Sequence, residues 1–333
     1  MNHSEIKGSN GGFMKKYIAI GLVIGILIGF GISYVYFSVL EPLFTSRNGQ
    51  NVQVGIFYYA WYDEGLGGSF WGESVDHTVV DKPVEGWYGS QNKTVIHDHF
   101  EWLRELRVDF LVVSWWGPDS DTDSSMKTIF QTLASWGNAS AYPKIALLVE
   151  PFNETENGYN FTKIYSHINA NYVSKYPQIY FNYPNKPLVC YFNHPYLTPN
   201  GQIPENDQFL SITVGHHYED YCVDWAFDHI TPHWRGPVPH NRTYSICPRY
   251  DDSRLNRTPY YVIDPNYTQQ IYLREWRNAL GFAKENKIEL ILINSWNEFN
   301  ERSMIEPHKD ATASVDDFFL YNATKQYINE LKT

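Results

Sequence analysis

Short runs of apolar and β-branched residues recur along the chain at 52–60 (VQVGIFYYA), 110–114 (FLVVS), 144–149 (KIALLV), 187–192 (PLVCYF), 211–214 (SITV), 223–227 (VDWAF), 243–247 (TYSIC) and 289–294 (ELILIN). Several are almost wholly apolar, the pattern of strands covered on both faces in a parallel sheet. Helix-like stretches lie between them at 93–107, 125–136, 161–175 and 269–286. Strand–helix alternation with eight strands predicts an α/β fold, a (β/α)8 TIM barrel. A doubly wound open sheet is the alternative, yet no G-x-G-x-x-G follows any strand.

The first apolar run differs from these. Positions 17–40 (YIAIGLVIGILIGFGISYVYFSVL) hold 24 residues without a charge, enough to cross a hydrocarbon layer of ~30 Å. A cleaved signal peptide has an apolar stretch of only ~7–15 residues and ends at a small-residue site, which this run lacks. Lys7, Lys15 and Lys16 precede it, while Glu41 and Arg47 follow. The positive-inside bias then leaves the N-terminus in the cytoplasm and sends the rest of the chain to the cell exterior or a lumen. The predicted division is a cytoplasmic tail (1–16), a single-pass transmembrane anchor (17–40), a linker (41–51) and one catalytic domain (52–333).

Glycosylation sequons bear on that orientation. They start at Asn92, Asn138, Asn153, Asn160, Asn241, Asn256, Asn266 and Asn322, with another at Asn2. With 26 Asn and 39 Ser plus Thr in 333 residues, chance gives roughly three. The excess fits an exported glycoprotein; accidental matches in an Asn-rich chain are the blander reading.

Composition narrows the function classes. The net charge of −11 argues against nucleic acid, which selects a basic surface. Three Cys with no C-x-x-C exclude a disulfide scaffold and a zinc ribbon. The aromatic share of 17%, with 26 Tyr and 11 Trp, calls for a use.

In a barrel, chemistry collects past the C-terminal strand ends. Those positions read Tyr58-Tyr59-Ala60-Trp61-Tyr62, Ser114-Trp115-Trp116, Glu150-Pro151-Phe152, Tyr191-Phe192-Asn193-His194, Gly215-His216-His217-Tyr218 and Asn294-Ser295-Trp296-Asn297-Glu298-Phe299-Asn300-Glu301. Aromatic faces stack on the C–H faces of sugars, while carboxylates and amides bind hydroxyls, so the inventory suits a carbohydrate. Aromatic residues that merely cap a barrel are the plainer reading of any single ring. Glu298 and Glu301, three residues apart in a turn, fall on one side. Close like charges raise one carboxyl and suit a general acid beside a base. An exposed acidic helix start is the structural alternative.

Here the chain resembles glycoside hydrolase family 99, the endo-α-mannosidases. The segments that carry the likeness are Tyr58 to Tyr62, Val113 to Trp116, Val149 to Phe152, and Trp296 to Glu301 with Ile305-Glu306-Pro307, supported by Gly86-Trp87-Tyr88-Gly89-Ser90. The resemblance implies a metal-independent, cofactor-free, retaining cleavage of α-mannosidic linkages inside an oligosaccharide or polysaccharide. It implies Glu301 as acid/base and Glu298 as the base acting on the substrate's own 2-hydroxyl. Tyr58, Tyr59, Trp61, Tyr88, Trp115, Glu150, Tyr191, Trp296 and Asn297 would line the sugar subsites. The chain departs from the family at Leu148, where a His is usual, and at Arg302-Ser303, where Gly-Thr is usual.

Other readings remain open. Family-99-like domains in glycan assembly share the N-E-W-x-E ending, and a tethered glycan-binding protein without catalysis is a different class. Such a protein has no need of both Glu298 and Glu301. A metal site would draw on His216, His217, His229, His233 and His240, a weak H-x3-H pattern.

Overall fold

The computed structural model describes residues 52–64, 71, 79–152, 159–192, 203–215, 224–226 and 242–333. All eight predicted strands are present: β1 Gln53–Tyr59, β2 Phe110–Trp115, β3 Lys144–Val149, β4 Leu188–Phe192, β5 Leu210–Gly215, β6 Trp225–Ala226, β7 Thr243–Ile246 and β8 Leu290–Ile293. They form one parallel sheet in the order β6-β5-β4-β3-β2-β1-β8-β7. That is the neighbour order of a TIM barrel. The pairing of β6 with β7 that would close the ring is not among the described strands, so the described sheet is TIM-like and open where the sequence predicts a closed barrel.

Side-chain alternation sorts the strands into two layers. Val54, Ile56 and Tyr58 of β1, Leu111, Val113 and Trp115 of β2, and Ile291 and Ile293 of β8 pack against the helices. Phe57, Tyr59, Phe110, Val112, Leu148, Cys190, Leu290 and Leu292 fill the inside. Both layers are dry, and each fully buried Leu, Ile or Val side chain contributes ~1.5–3 kcal/mol. The inside layer is the one whose top carries the chemistry.

Among the described residues five α-helices cover the sheet: α1 Lys93–Glu105, α2 Asp121–Ser135, α3 Phe161–Ile168, α4 Ile271–Lys284 and α5 Phe319–Leu331. Local chemistry sets their starts. The Asn92, Ser120 and Asn160 side chains accept hydrogen bonds from the backbone N–H of Thr94, Asp123 and Lys163, satisfying donors that a helix N-terminus leaves unpaired. The Ser120 cap begins α2 four residues before the apolar periodicity does, while α3 runs on into a π turn over Asn169–Val173. The α5 helix is additional to the sequence reading; it buries Leu320, Tyr321, Thr324 and Ile328.

The predicted anchor at 17–40 lies outside the described residues, among which no helix is long and apolar enough to cross a membrane. Of the sequons, Asn138, Asn160, Asn256, Asn266 and Asn322 are exposed and Asn92 is half-buried; Asn2, Asn153 and Asn241 lie outside the described residues. Cys190 and Cys247 are buried, and the Cys247 thiol donates to the Arg249 carbonyl at 3.1 Å.

Candidate active site

The turn after β8 is built to hold one geometry. Asn297, fully buried, accepts a hydrogen bond from the Tyr59 backbone N–H at 2.8 Å and donates to the Tyr59 carbonyl at 2.8 Å. The Tyr62 hydroxyl donates to the Asn297 carbonyl at 2.7 Å and accepts from the Phe299 N–H at 3.3 Å. Ser295 Oγ accepts from the Glu298 N–H at 2.8 Å, and the Ser303 N–H closes the turn on the Glu298 carbonyl at 3.1 Å. Beneath it, Tyr88 donates to Glu306 at 2.7 Å, and the Tyr58 hydroxyl lies 3.0 Å from His99 Nδ1.

Three carboxylates meet above this floor. Glu298 is 3% exposed and accepts from the Asn300 N–H at 2.9 Å. Burial, then the charge of Glu301, pushes its carboxyl well above the ordinary range, against backbone N–H bonds that favour the anion. Glu150 enters from the end of β3, with the Ser114 hydroxyl donating to it at 2.9 Å. Burial, aided by the charge of Glu301 and opposed by the Ser114 bond, pushes Glu150 up to about 7. The Tyr59 hydroxyl stays protonated, raised by burial and then by the charges of Glu298, Glu301 and Glu150, so all three acids lie within electrostatic reach of one phenol. Trp61 stacks on Tyr59 with centroids 4.5 Å apart.

Glu301 is the most accessible of the pair, its side chain 20% exposed, and Arg257 Nη1 donates to its Oε1 at 2.6 Å. The backbone behind it is clamped. Arg302, in the left-handed region at φ 55°, forks onto Asp81 at 2.7 and 3.0 Å and reaches Asp251 at 3.3 Å. Arg249 binds Asp81 at 2.8 Å, Asp310, and the Arg302 carbonyl at 3.0 Å. Side chains of Asp81, Arg249, Arg302 and Asp310 are all at most 3% exposed. Such a lattice offsets its desolvation only by satisfying every partner.

The fold has counterparts among solved structures. The family 99 endo-α-mannosidase of Bacteroides thetaiotaomicron in complex with Bis-Tris propane aligns at a TM-score of 0.60 and 20% identity, over 84% of this chain and 97% of that one. A second structure of an endo-α-mannosidase from the same organism gives 0.59 and 18%, over 86% and 98%. A glycoside hydrolase-like protein gives 0.57 and 14%, over 86% and 98%. At these identities the likeness establishes a shared fold. The sequence matches no protein-family model and no curated protein.

The predicted site residues divide by strand parity. Glu298, Glu301, Glu150 and Tyr59 are brought together, with half-buried Trp61 beside them. Tyr58, Trp115, Tyr191 and Trp296 are not brought to the carboxylates: each lies in the layer between sheet and helices. Trp115 donates its indole N–H to buried Asp123 at 2.9 Å; the Trp on the surface is its neighbour Trp116, 39% exposed. Asn297 and Tyr88 are positioning groups, their polar atoms spent on Tyr59, Tyr62 and Glu306. Leu148 sits in the inside layer, two positions below Glu150, and an apolar neighbour there adds to the burial that raises that acid. The sequence reading missed Asp81, Arg249 and Arg257, and it named Tyr62 and Ser114 at strand ends without giving them a role.

His99 is buried beneath the β8 turn, whereas His97 is exposed. The cluster His216, His217, His229, His233 and His240 lies outside the described residues. Among the described residues no group of three His, Cys, Asp or Glu is placed to hold a metal.

Proposed function

We propose that the domain is a retaining, endo-acting glycoside hydrolase that cleaves α-mannosidic linkages within a glycan or polysaccharide. The observation that supports this reading is the placement of Glu298 and Glu301 on the turn after β8 and of Glu150 at the end of β3, in a TIM-like sheet, within electrostatic reach of the Tyr59 hydroxyl. Two carboxyls on one short turn flank a glycosidic bond poorly from opposite faces, as an ordinary retaining pair must. They are better placed to serve a substrate whose own hydroxyl attacks. Glu298 takes the proton of the 2-hydroxyl as O2 bonds to the anomeric carbon. The glycosidic bond breaks, and Glu301 gives its proton to the departing oxygen. Water then opens the 1,2-anhydro sugar, losing a proton to Glu301 while Glu298 returns one to O2, so both acids end as they began. No step calls on a cofactor. Incubation of the domain from residue 41 onward with α-mannan and N-glycan oligosaccharides, followed by product masses, tests the reading. Internal cleavage supports it, and intact oligosaccharides contradict it.

Glu150 gives the pH dependence a definite sign. With its carboxyl pushed up to about 7, it is neutral below that pH and adds a negative charge beside the Glu298–Glu301 pair above it. kcat/KM is expected to fall on the alkaline side with an apparent pKa near 7. Glu150→Gln should remove that limb; an unchanged alkaline limb in this variant would assign it to another group.

We also propose that residues 17–40 anchor the protein uncleaved, with the domain outside the cell or in a lumen. Protease added to intact cells or sealed vesicles should reach the domain only from that side. A mature N-terminus near Arg47 would replace the anchor with a cleaved leader.

A further inference from the structure

The ion pair between Arg257 and Glu301 sets a problem that the proposed reaction has to solve. A carboxylate engaged by a guanidinium offers acceptor oxygens only, yet the proposed role of Glu301 is to deliver a proton. In the unliganded chain the guanidinium holds Glu301 at 2.6 Å, while burial pushes the carboxyl of Glu298 up. Arg257 therefore has to leave Glu301 before the leaving oxygen can be protonated.

Its position allows that movement. Arg257 lies at the tip of a hairpin between the paired segments Tyr250–Asp251 and Val262–Ile263, in the loop that follows β7. The base of the hairpin is tied to the catalytic turn: the Asp251 N–H donates to the Glu301 carbonyl at 2.9 Å, and Arg302 holds the Asp251 carboxylate. The tip is open, with residues 256–260 exposed and the Arg257 side chain 50% exposed. The groups facing its guanidinium are Glu301 at 2.6 Å, the Tyr250 hydroxyl at 3.2 Å and the Asp252 carboxylate at 3.5 Å.

What draws Arg257 away must compete with a carboxylate. Charge-assisted hydrogen bonds are roughly twice as strong as neutral ones, so a sugar hydroxyl is outmatched and an anion is not. Charge balance points the same way. If a substrate anion takes Arg257, the guanidinium keeps a partner, Glu301 is free to carry a proton, and the Glu298 carboxylate keeps the Asn300 N–H bond. Because Glu301 faces the departing oxygen, the anion belongs to the sugar on the leaving side of the bond.

We propose that Arg257 is a specificity-determining residue that selects glycans carrying an anionic group on the leaving-side sugar, and that this anion releases Glu301 to act as acid. The inference rests on the glycosidase reading above and deepens it.

Three matched α-mannosides test it: one with a neutral leaving-side mannose, one with a 6-phosphate on that mannose, and one with a glucuronate in its place. A mannobiosyl fluoride serves as control, because fluoride departs without a proton and carries no leaving-side sugar. The wild-type protein is expected to cleave the fluoride and to favour at least one anionic substrate over the neutral one by about ten- to a hundredfold in kcat/KM. Arg257→Gln should bring that ratio close to one. Equal rates on all three oligosaccharides, or a preference that survives in Arg257→Gln, would overturn the role of Arg257 while cleavage of the fluoride left the glycosidase reading standing. A wild-type protein inert on the fluoride would remove that reading, and this inference with it.

Discussion

Glu298→Gln is expected to abolish turnover while leaving glycan binding largely intact. The side chain is 3% exposed and fixed by the Asn300 N–H, so the amide fits the same space and the fold has little reason to respond. What is lost is the capacity to accept the proton of the attacking hydroxyl. General-base removal of this kind costs ~10²–10⁴-fold, and the loss should hold for every leaving group, fluoride included. Glu301→Gln is expected to differ in a diagnostic way. It removes the proton donor, so the rate should fall by ~10²–10⁴-fold on sugar leaving groups and far less on fluoride. Single-turnover rates with the two substrate types separate these patterns. Identical losses in both variants on both substrates would show that the two acids do not divide the work as assigned.

Asp81→Ala is expected to cost the domain about 3–5 kcal/mol of stability, the range for removing one partner of a buried ion pair. Asp81 accepts from Arg302 through both oxygens, from Arg249, and from the Ala311 N–H at 2.8 Å. Its removal leaves two buried guanidiniums sharing the remaining carboxylates of Asp310 and Asp251. Denaturant unfolding followed by tryptophan fluorescence reads the change, with a fall in Tm on the order of 10 °C. Arg302 carries the turn through a backbone conformation at φ 55° that costs a side chain ~1 kcal/mol or more. The fork onto Asp81 offsets that cost, so Arg302→Gly should regain backbone ease yet still destabilise. A wild-type Tm in Asp81→Ala would show that the lattice is not what holds the turn.

The strands were the most legible part of the chain because their signal is local. A buried parallel strand such as β2 or β8 needs a continuous apolar run between polar loops, and several of the eight runs show one. Helix starts were less legible where a cap decided them: the Ser120 cap and the acids that follow it begin α2 ahead of its first apolar repeat. In the site, spacing within one turn sufficed for Glu298 and Glu301, and the end of β3 sufficed for Glu150.

Aromatic residues at strand ends divide by parity, which their sequence position alone leaves open until the strand's faces are fixed. Tyr58 and Tyr59 are adjacent in β1 and must face opposite sides; Tyr59 points to the acids and Tyr58 to His99. The same rule separates Ser114, which binds Glu150, from Trp115, which binds Asp123. Counting alternate positions back from Glu150 would have found Leu148 on the inside and Val149 on the helix side. Asp81, Arg249 and Arg257 had no such signal. They come to the β8 turn from segments 168, 53 and 44 positions away from their partners, and only the folded chain pairs them.

The central claim, that the β8 turn runs a retaining cleavage assisted by the substrate's own hydroxyl, meets its most direct test in the anomeric configuration of the first product. Proton NMR of an α-linked mannan oligosaccharide during the first minutes of reaction reports it before mutarotation blurs the signal. The account predicts the α-anomer first, with the β-anomer growing in only later. A β-anomer appearing first would require a water activated on the far face of the sugar, for which the two acids on one turn make no provision, and would contradict the mechanism.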